Sequence, residues 1–493
     1  MSRAAGLVLL LANSLTLACA LVQGVSGSRA KPSPSTKTVI VVGSGASAHG
    51  LVHQLNLLRS DVRYVVLEGA GYVGGRTKTV SVGSAGATVD LGAQWFHGVD
   101  THPWVPVAKQ LGVELVMDFS EENVPPGSIQ FLASQTGKQY PTSKFMTWIN
   151  DFQKIVDVTN KWQHTTKQDE PLADALVKAQ RVAASRMSHN SPLRHIPPGS
   201  LGLALYNWFS RWWFDEDYAA PATQLSLWWW NDDPPLPGGD ALVPMGTGGF
   251  MLKAFPFPEP NTTVLLNHVV THIDTSAPNK VSVYCEGVAT PFVGDAVVVT
   301  ASLGVMQSGQ IQFTPELPAS FATSLSHRGL GKVDKVVLEF ATKWWPPLAW
   351  QFDYIDANAS YSLIYDATHY TGGTPILIAF LTGDERVARY NGMPDSALVD
   401  ALMAELRIMF PTASIPSQPV SSVVARWGTD PLFLGSWSYN RVGFDPKVDF
   451  TNIQQGATWR LQFAGEHTDP AFATIKGAWN SGLRAAASLN AHL

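Results

Sequence analysis

A glycine turn between a short apolar strand and a helix is the feature of this 493-residue sequence that most restricts its fold. Residues 39–42 are apolar and β-branched, which is typical of the central strand of a parallel sheet. The pattern G-x-G-x-x-A follows, in which Gly43 permits a tight turn and Gly45 lets the backbone approach a phosphate. A second strand over 62–67 ends at Glu68, an acid placed to bind ribose hydroxyls. These elements predict an α/β fold with a Rossmann-type dinucleotide-binding unit.

The helix after the turn completes this unit. Its first N–H groups and its dipole favour an anion such as a pyrophosphate. Ala48, or Gly50 beyond it, is expected to keep the helix close to the sheet. Two further glycine clusters, at 74–75 and at 246–249, each indicate no more than a loop when taken alone.

The rest of the chain has the pattern of a multidomain globular protein. Its length exceeds what one hydrophobic core normally supports. Helical spacing runs through 143–185, and short β-branched runs dominate 264–340. The formal net charge of −5 gives no general attraction to nucleic acid or to anionic lipid, so we expect neither as a partner. Two apolar stripes predict amphipathic helices, one at Trp148, Phe152, Ile155, Thr159 and Trp162 and one at Val399, Leu402, Met403, Leu406 and Phe410.

The N-terminal segment predicts a secretory signal peptide over 1–28. Arg3 precedes an uncharged stretch with small-residue cleavage sites at 18–20 and 25–27. Polar residues interrupt its apolar run, which weakens the alternative of an uncleaved spanning anchor. We therefore expect no stable membrane insertion once the signal peptide is cleaved.

Cysteine and glycosylation patterns agree with secretion. Cleavage removes Cys19 and leaves Cys285 alone, so no intramolecular disulfide is expected. Sequons at Asn261 and Asn358 predict an extracellular glycoprotein. The C-terminal Ala491-His492-Leu493 loosely resembles a peroxisomal signal, which makes the peroxisome the alternative location.

Several motifs follow one another along the chain: the glycine turn, Gly74-Gly75-Arg76, VDLGAQWFHG over 89–98 and LQFAGEHTDPAFATIKGAWNSGLRAA over 461–486. In this order they resemble the flavin-containing amine oxidases, the family of monoamine oxidases, polyamine oxidases and lysine-specific histone demethylases. The similarity extends from Thr38 to Leu489. It implies the amine oxidase fold, in which a Rossmann-type FAD-binding domain (37–117, 240–308 and 424–493) is interwoven with an α+β substrate-binding domain (118–239 and 309–423).

The resemblance also implies the residues that hold FAD. Arg76 suits phosphate oxygens because a guanidinium binds them in a bidentate fork. Monoamine oxidases attach the flavin through a cysteine ahead of the C-terminal motif, and no cysteine follows Cys285, so we expect FAD to be bound non-covalently. No metal is expected. By match to the family motifs, the FAD-binding residues are Gly43, Gly45, Ala48, Glu68, Gly75, Arg76, Gly92, Ala93, Gln94, Trp95, Val270 or its neighbour Val269, Gly465, Glu466 and Thr474.

Two residues are implied to be catalytic. Alternation along 335–340 favours an exposed or ion-paired Lys335. The resemblance instead implies that Lys335 is the family's active-site lysine, bonded through a water to flavin N(5). His97 by itself is typical of a structural histidine, but its W-[IF]-H-G context resembles the animal-type polyamine oxidases, where this histidine faces the substrate.

The substrate wall is less well defined by the sequence. The aromatic pair that frames the amine in monoamine oxidases is absent, since the matching positions carry Gln462 and Thr474. Trp437, Tyr439 or Trp479 are candidates for an aromatic wall. Asp217, in the acidic run 215–217, is a candidate for binding a polycation, although most such runs are solvated. Tryptophan clusters at 212–213, 228–230 and 344–345 can line a cavity, but most buried tryptophans belong to the core.

The implied reaction is FAD-dependent oxidation of a polyamine (spermine, spermidine or an acetylated form). Hydride transfer to the flavin gives an imine that water hydrolyses to aldehyde and amine, and molecular oxygen leaves as hydrogen peroxide. One alternative is an L-amino-acid oxidase, which needs an arginine soon after the G-G-R motif, where only Lys78 is found. Another is a catalytically inactive FAD-binding protein. A histone demethylase is disfavoured because the chain has no long helical insertion.

Overall fold

The computed structural model describes residues 37–84, 86–117, 129–133, 138–347, 351–355, 363–454 and 458–493. The predicted signal peptide and the sequon at Asn358 lie outside these residues. Within them, no helix combines the length and the apolar character that crossing a membrane requires.

A five-stranded parallel sheet carries the glycine turn. Its central strand is buried on both faces, which explains its uninterrupted apolar run. Val39 and Val41 pack toward two helices, whereas Ile40 and Val42 pack toward a second sheet. This arrangement confirms the predicted α/β fold. The strands, in spatial order, are Thr262–Leu265, Val62–Leu67, Lys37–Val42, Ala296–Val299 and Leu461–Phe463.

The two helices on this sheet, Ala46–Leu58 and Ile475–Asn490, pack closely against each other. A Cβ at Gly50 would lie 2.8 Å from the carbonyl oxygen of Trp479, so only glycine allows this approach. Ala48 is fully buried in the core that these helices form with the sheet. Ala48 therefore packs in the core with the sheet, whereas Gly50 contacts the C-terminal helix.

A four-stranded sheet covers the other face of the five-stranded sheet. The strand Gln312–Thr314 of this sheet pairs with Val270–Asp274. The sheet therefore extends beyond residue 308, where the sequence analysis ends the second segment of the FAD-binding domain. Arg328–Leu330 likewise pairs with Ser438–Asn440. The four strands are, in order, Phe292–Gly294, Val281–Cys285, Val270–Asp274 and Gln312–Thr314.

A seven-stranded mixed sheet forms the centre of the other half of the molecule. Val333–Glu339 lies inside this sheet and is buried at every position. One of its faces packs on the helix Asp395–Met409, which buries the predicted stripe at 399–410 and confirms it. The strands are, in order, Ser421–Ala425, Val333–Glu339, Ile376–Thr382, Leu363–Asp366, Gln351–Ile355, Ile129–Ala133 and Lys138–Tyr140.

Smaller elements complete the fold. The predicted stripe at 148–162 lies along the helix Thr142–Trp162, where four of its members are buried. A three-stranded sheet pairs Trp95–His97 with Asp240–Leu242 and the latter with Val116–Met117, and Thr79–Val82 forms a hairpin with Ala87–Asp90. Other helices are Val105–Gln110, Leu172–Ala183, Leu201–Ser210, Glu216–Tyr218, Thr247–Ala254, Leu303–Ser308, Ala319–Ser326, Asp384–Tyr390 and Pro446–Gln454, with a π-helical turn at Arg211–Asp215.

Candidate active site

A cavity of about 1430 Å³ is lined by residues of both large sheets. Val42 and Leu67 belong to the five-stranded sheet, and Lys335, Tyr365 and Phe380 belong to the seven-stranded sheet. Small-molecule sites usually measure about 300–1,000 Å³. The cavity therefore has room for a dinucleotide together with a second ligand.

The glycine turn lies at one end of this cavity and fits the predicted dinucleotide. Gly43 has φ +97°, and a Cβ there would lie 2.6 Å from the hydroxyl of Thr300, so the turn requires glycine. Gly45 has an ordinary φ of −78°, and a Cβ there would meet only the Gly74 carbonyl oxygen, at 3.8 Å. The protein itself does not fill the space beside Gly45, which opens to the cavity. That space and the adjacent first turn of the helix suit a phosphate.

Glu68 is held in place beside the turn. Its Oε2 accepts hydrogen bonds from the backbone N–H of Ser44 at 2.8 Å and from the Ser44 hydroxyl at 2.6 Å. Its Oε1 accepts from the backbone N–H of Ala70 at 2.8 Å. The carboxylate lines the cavity, where the sequence analysis predicts a ribose contact.

Arg76 and Glu466 form an ion pair across 390 residues of sequence. Arg76 Nη1 lies 3.1 Å from Glu466 Oε1 and also donates to the carbonyl oxygen of Ser436. Burial alone would raise the pKa of Glu466, but the charge of Arg76 and hydrogen bonds from Ser438 and Ala473 lower that pKa to about 2. Both side chains line the cavity, and the lowered pKa keeps Glu466 a carboxylate at neutral pH.

Most other predicted FAD contacts also lie at the cavity. Thr474 caps the C-terminal helix by accepting from the N–H of Gly477 at 2.9 Å. Ala48 lies in the core and is not among the described lining residues. Cys285, the one cysteine in the described part of the chain, is buried in the four-stranded sheet and does not line the cavity either. The other predicted contacts that line it are Gly75, Gly92, Ala93, Gln94, Trp95, Val269, Val270 and Gly465.

The Nζ of Lys335 is surrounded by three acceptor oxygens at the cavity wall. It donates to the carbonyl oxygens of Asp90 at 3.2 Å and Gly92 at 2.8 Å and to Gln94 Oε1 at 3.0 Å. These three acceptors match the three N–H groups of an ammonium. Burial opposes the charge and lowers the pKa of Lys335 to about 7, even though the Asp90 carboxylate raises it. Lys335 therefore releases its proton more readily than a solvent-exposed lysine does.

The alternation pattern around Lys335 gave the wrong prediction. The side chain is 3% exposed rather than solvated. Both faces of its strand are covered, one by the core around the helix Asp395–Met409 and the other by the cavity wall. A period of two distinguishes the two faces of a strand, but it does not show whether the polar face meets water.

Three rings form an aromatic wall beside Lys335. The centroids of Tyr365 and Phe380 are 5.1 Å apart, and that of Trp95 lies 6.1 Å from each. Lys335 Nζ is 4.7 Å from the Phe380 centroid and 5.7 Å from that of Trp95. This wall disfavours a charged amine because it replaces water with apolar ring faces.

Of the three candidates for an aromatic wall, Trp437, Tyr439 and Trp479, the structure corrects the last two. Neither is among the described lining residues. Tyr439 is fully buried, lies over Gly329 and donates to Gln224. Trp479 packs in the core behind the glycine turn. Trp437 does line the cavity, and its indole N–H donates to the carbonyl oxygen of Asp217 at 2.9 Å.

His97 lies on the cavity wall next to Trp95, with their ring centroids 6.1 Å apart. Its Nδ1 is 2.7 Å from Asp240 Oδ2. Burial raises the pKa of Asp240, but the hydrogen bonds from His97 and from the backbone N–H of Gly98 lower it below the usual value. Asp240 is therefore a carboxylate at neutral pH.

Further acidic side chains line the same end of the cavity. Glu216 accepts a hydrogen bond from the Tyr365 hydroxyl, and Asp217 and Asp233 lie nearby in the lining. Burial raises the pKa of Asp233. Asp215 differs from its neighbours in the acidic run because it is buried beside Gly383, and burial raises its pKa to about 7.

Sequence reasoning identified this end of the cavity only in part. Trp212 and Trp213 line it, whereas the tryptophan clusters at 228–230 and 344–345 do not appear in its described lining. The π-helical turn that carries Trp212 and Trp213 is a feature often found at functional sites. Phe145, Met146 and Ile149 from the helix Thr142–Trp162 also contribute, with no sequence signal that distinguishes them from core residues.

Comparison with known proteins gives consistent matches over most of the chain. The family model for flavin containing amine oxidoreductases matches residues 50–490. The chain is 32% identical over 412 residues to Probable polyamine oxidase 4 of Arabidopsis thaliana, covering 82% of this chain and 78% of that protein. It is 31% identical to Polyamine oxidase 2 of Arabidopsis thaliana, covering 94% and 89%. It is also 29% identical to Lysine-specific histone demethylase 1 homolog 3 of Oryza sativa subsp. indica, covering 92% of this chain and 54% of that protein.

Proposed function

This chain belongs to the flavin containing amine oxidoreductases, and on that premise we propose that it oxidises a polyamine such as spermine, spermidine or an acetylated form. The observation that carries the substrate assignment is the lining of the cavity beyond the glycine turn. Four carboxylate residues lie there beside the aromatic wall: Glu216, Asp217, Asp233 and Asp240. Carboxylates around a concave site attract a substrate with several positive charges.

The same lining argues against an L-amino-acid substrate. Such a substrate needs a cation for its carboxylate, usually the bidentate fork of an arginine. Among the described lining residues the arginine is Arg76, which is already paired with Glu466. Lys78 does not line the described cavity, and its Nζ lies 4.2 Å from the ring centroid of Tyr72.

FAD held along Gly45, Glu68 and Arg76 would supply the hydride acceptor for oxidation of the carbon next to the substrate nitrogen, with molecular oxygen as the final acceptor and hydrogen peroxide as its product. The protein's part is to bind the substrate and control its protonation. The surroundings that lower the pKa of Lys335 to about 7 also favour a neutral substrate amine beside the aromatic wall. Lys335 Nζ is placed to hold a proton or a water molecule beside this wall. Water then hydrolyses the imine product to an aldehyde and an amine.

We expect FAD to be bound without a covalent link. Cys285 is buried in the four-stranded sheet and does not line the described cavity. Acid precipitation of the purified protein should leave yellow FAD in the supernatant. Flavin that remains with the precipitated protein, detected by its absorbance after washing, would contradict this expectation.

We expect the wild-type protein to release peroxide from spermine, spermidine or N1-acetylspermine faster than from benzylamine, L-leucine or a dimethyl-lysine peptide. His97→Ala should raise the KM for spermine more than it changes kcat, because it removes a contact made equally in the bound and reacting states. A coupled peroxide assay over this panel measures both.

The outcomes of this panel separate the competing assignments. Peroxide from L-leucine or benzylamine alone would retain the family and overturn the polyamine assignment. Turnover of the lysine peptide alone would assign a demethylase. No turnover of any amine by FAD-loaded protein would indicate a catalytically inactive flavoprotein.

A further inference from the structure

His97 and Asp240 are brought together by strand register. In the antiparallel pair Trp95–His97 with Asp240–Leu242, His97 lies directly opposite Asp240. Side chains of directly opposed residues share one face of the sheet and lie close together. Alternation along the first strand turns Trp95 and His97 to the cavity and buries Phe96 in the core. The His97–Asp240 contact is thus fixed by the backbone.

Both oxygens of Asp240 are occupied in a way that orients its carboxylate. Oδ2 faces His97 Nδ1 at 2.7 Å, and Oδ1 accepts from the backbone N–H of Gly98 at 3.1 Å. A carboxylate can only accept hydrogen bonds. His97 Nδ1 must therefore carry the proton, and in the neutral ring the remaining nitrogen, Nε2, is an acceptor.

We propose that Asp240 is a positioning residue that holds His97 in the Nδ1–H tautomer, so that Nε2 accepts a hydrogen bond from a substrate ammonium or amine N–H. This inference rests on the proposed polyamine substrate. It assigns to Asp240 a role in substrate affinity that is exerted through His97. Because Asp240 acts on substrate binding, its effect on the KM can be measured separately from the effect of Lys335 on the rates of flavin reduction and reoxidation.

Other charged groups near the pair do not replace Asp240. His102 packs behind it, stacked on Phe96, and burial lowers the pKa of His102 to about 3, so it stays neutral. Lys476 Nζ donates to the Thr101 hydroxyl at 2.8 Å and adds a positive charge rather than a negative one. Asp240 is thus the acidic partner that the structure gives His97.

The test is Asp240→Asn in the FAD-loaded protein, measured with spermine. If the asparagine oxygen keeps its bond from Gly98, its NH₂ faces His97 Nδ1 and favours the opposite tautomer. We expect the KM for spermine to rise at least about tenfold while kcat stays within about threefold. Asp100→Asn is the matched control, because Asp100 is exposed on the same segment and does not line the cavity. Its KM should stay within about twofold of wild type.

A double-mutant cycle distinguishes positioning from a structural role. Adding Asp240→Asn to His97→Ala should change the KM by less than about threefold, since the two residues act as one unit. Equal effects in both backgrounds, or an unchanged KM in the single variant, would overturn the inference. If Asp240→Asn does not fold, Asp240→Ser removes the charge, keeps an acceptor for Gly98 and is judged by the same criteria. A wild-type protein that oxidises none of spermine, spermidine and N1-acetylspermine would instead overturn the proposed function, and if only one of the other two is oxidised, that polyamine replaces spermine in this test.

Discussion

Replacing Gly45 with valine is expected to abolish FAD binding while leaving the protein folded. The backbone at Gly45 has a φ of −78°, which valine adopts without strain, and its Cβ would meet only one protein atom within 4 Å, at 3.8 Å. The added side chain would instead fill the space beside the first turn of the helix, where a phosphate would lie. We expect FAD affinity to fall at least about 100-fold, or about 2.8 kcal/mol.

Titration of FAD into flavin-free protein measures this affinity, and thermal unfolding of the flavin-free variant checks its stability. The matched control is Gly249→Ala, at a helical glycine where a Cβ would meet no described atom within 4 Å. The control should bind FAD like wild type. A Gly45→Val protein that retains a full complement of FAD would contradict the placement of the phosphates, and one that fails to fold would contradict the open space beside Gly45.

Lys335→Met is expected to slow flavin reduction or reoxidation at least about tenfold, or about 1.4 kcal/mol, while FAD remains bound. Methionine fills a similar volume but cannot hold a proton at the position of Nζ, next to the aromatic wall. Stopped-flow absorbance of the bound flavin, under anaerobic conditions with spermine and then with oxygen, measures the two half-reactions separately. Lys332→Met is the matched control, because Lys332 pairs with Asp384 at the surface and does not line the described cavity. Unchanged rates in both half-reactions would make Lys335 a structural residue.

The same variant tests the protonation of Lys335 independently of activity. Its pKa is lowered from 10.5 to about 7 by burial, so between these values the unfolded chain binds a proton that the folded protein does not. The free energy of unfolding of the wild type should therefore rise with pH from about 7 to about 10.5 relative to that of Lys335→Met. Parallel urea titrations across this range measure the difference. A constant difference would show that Lys335 keeps its charge when buried.

The local patterns of the sequence were sufficient for the α/β fold and the nucleotide end of the site. The strand at 39–42, the glycine turn and the acid at the end of the second strand are close in sequence, and the structure brings Gly43, Gly45 and Glu68 to one end of the cavity. The stripes at 148–162 and 399–410 also predicted their helices correctly, because an amphipathic helix records its buried face in its own spacing.

Other parts of the candidate site depend on contacts between distant segments, which no local pattern records. Arg76 meets Glu466 across 390 residues, and His97 meets Asp240 across 143. Asp240 was not a candidate from the sequence, and the aromatic wall came from Tyr365 and Phe380 rather than Tyr439 and Trp479. Strand register sets the contact between His97 and Asp240, and register depends on the whole sheet.

The sequence by itself therefore determined the strands and helices that have a clear local pattern, the glycine turn and the family resemblance. Only the tertiary structure decided that Lys335 is buried among oxygens, although alternation placed it on a polar face. The physical reason is that the position of a residue along a strand fixes the face on which its side chain lies. Whether that side chain meets water depends on which distant segments cover the face, and its pKa depends on this solvation.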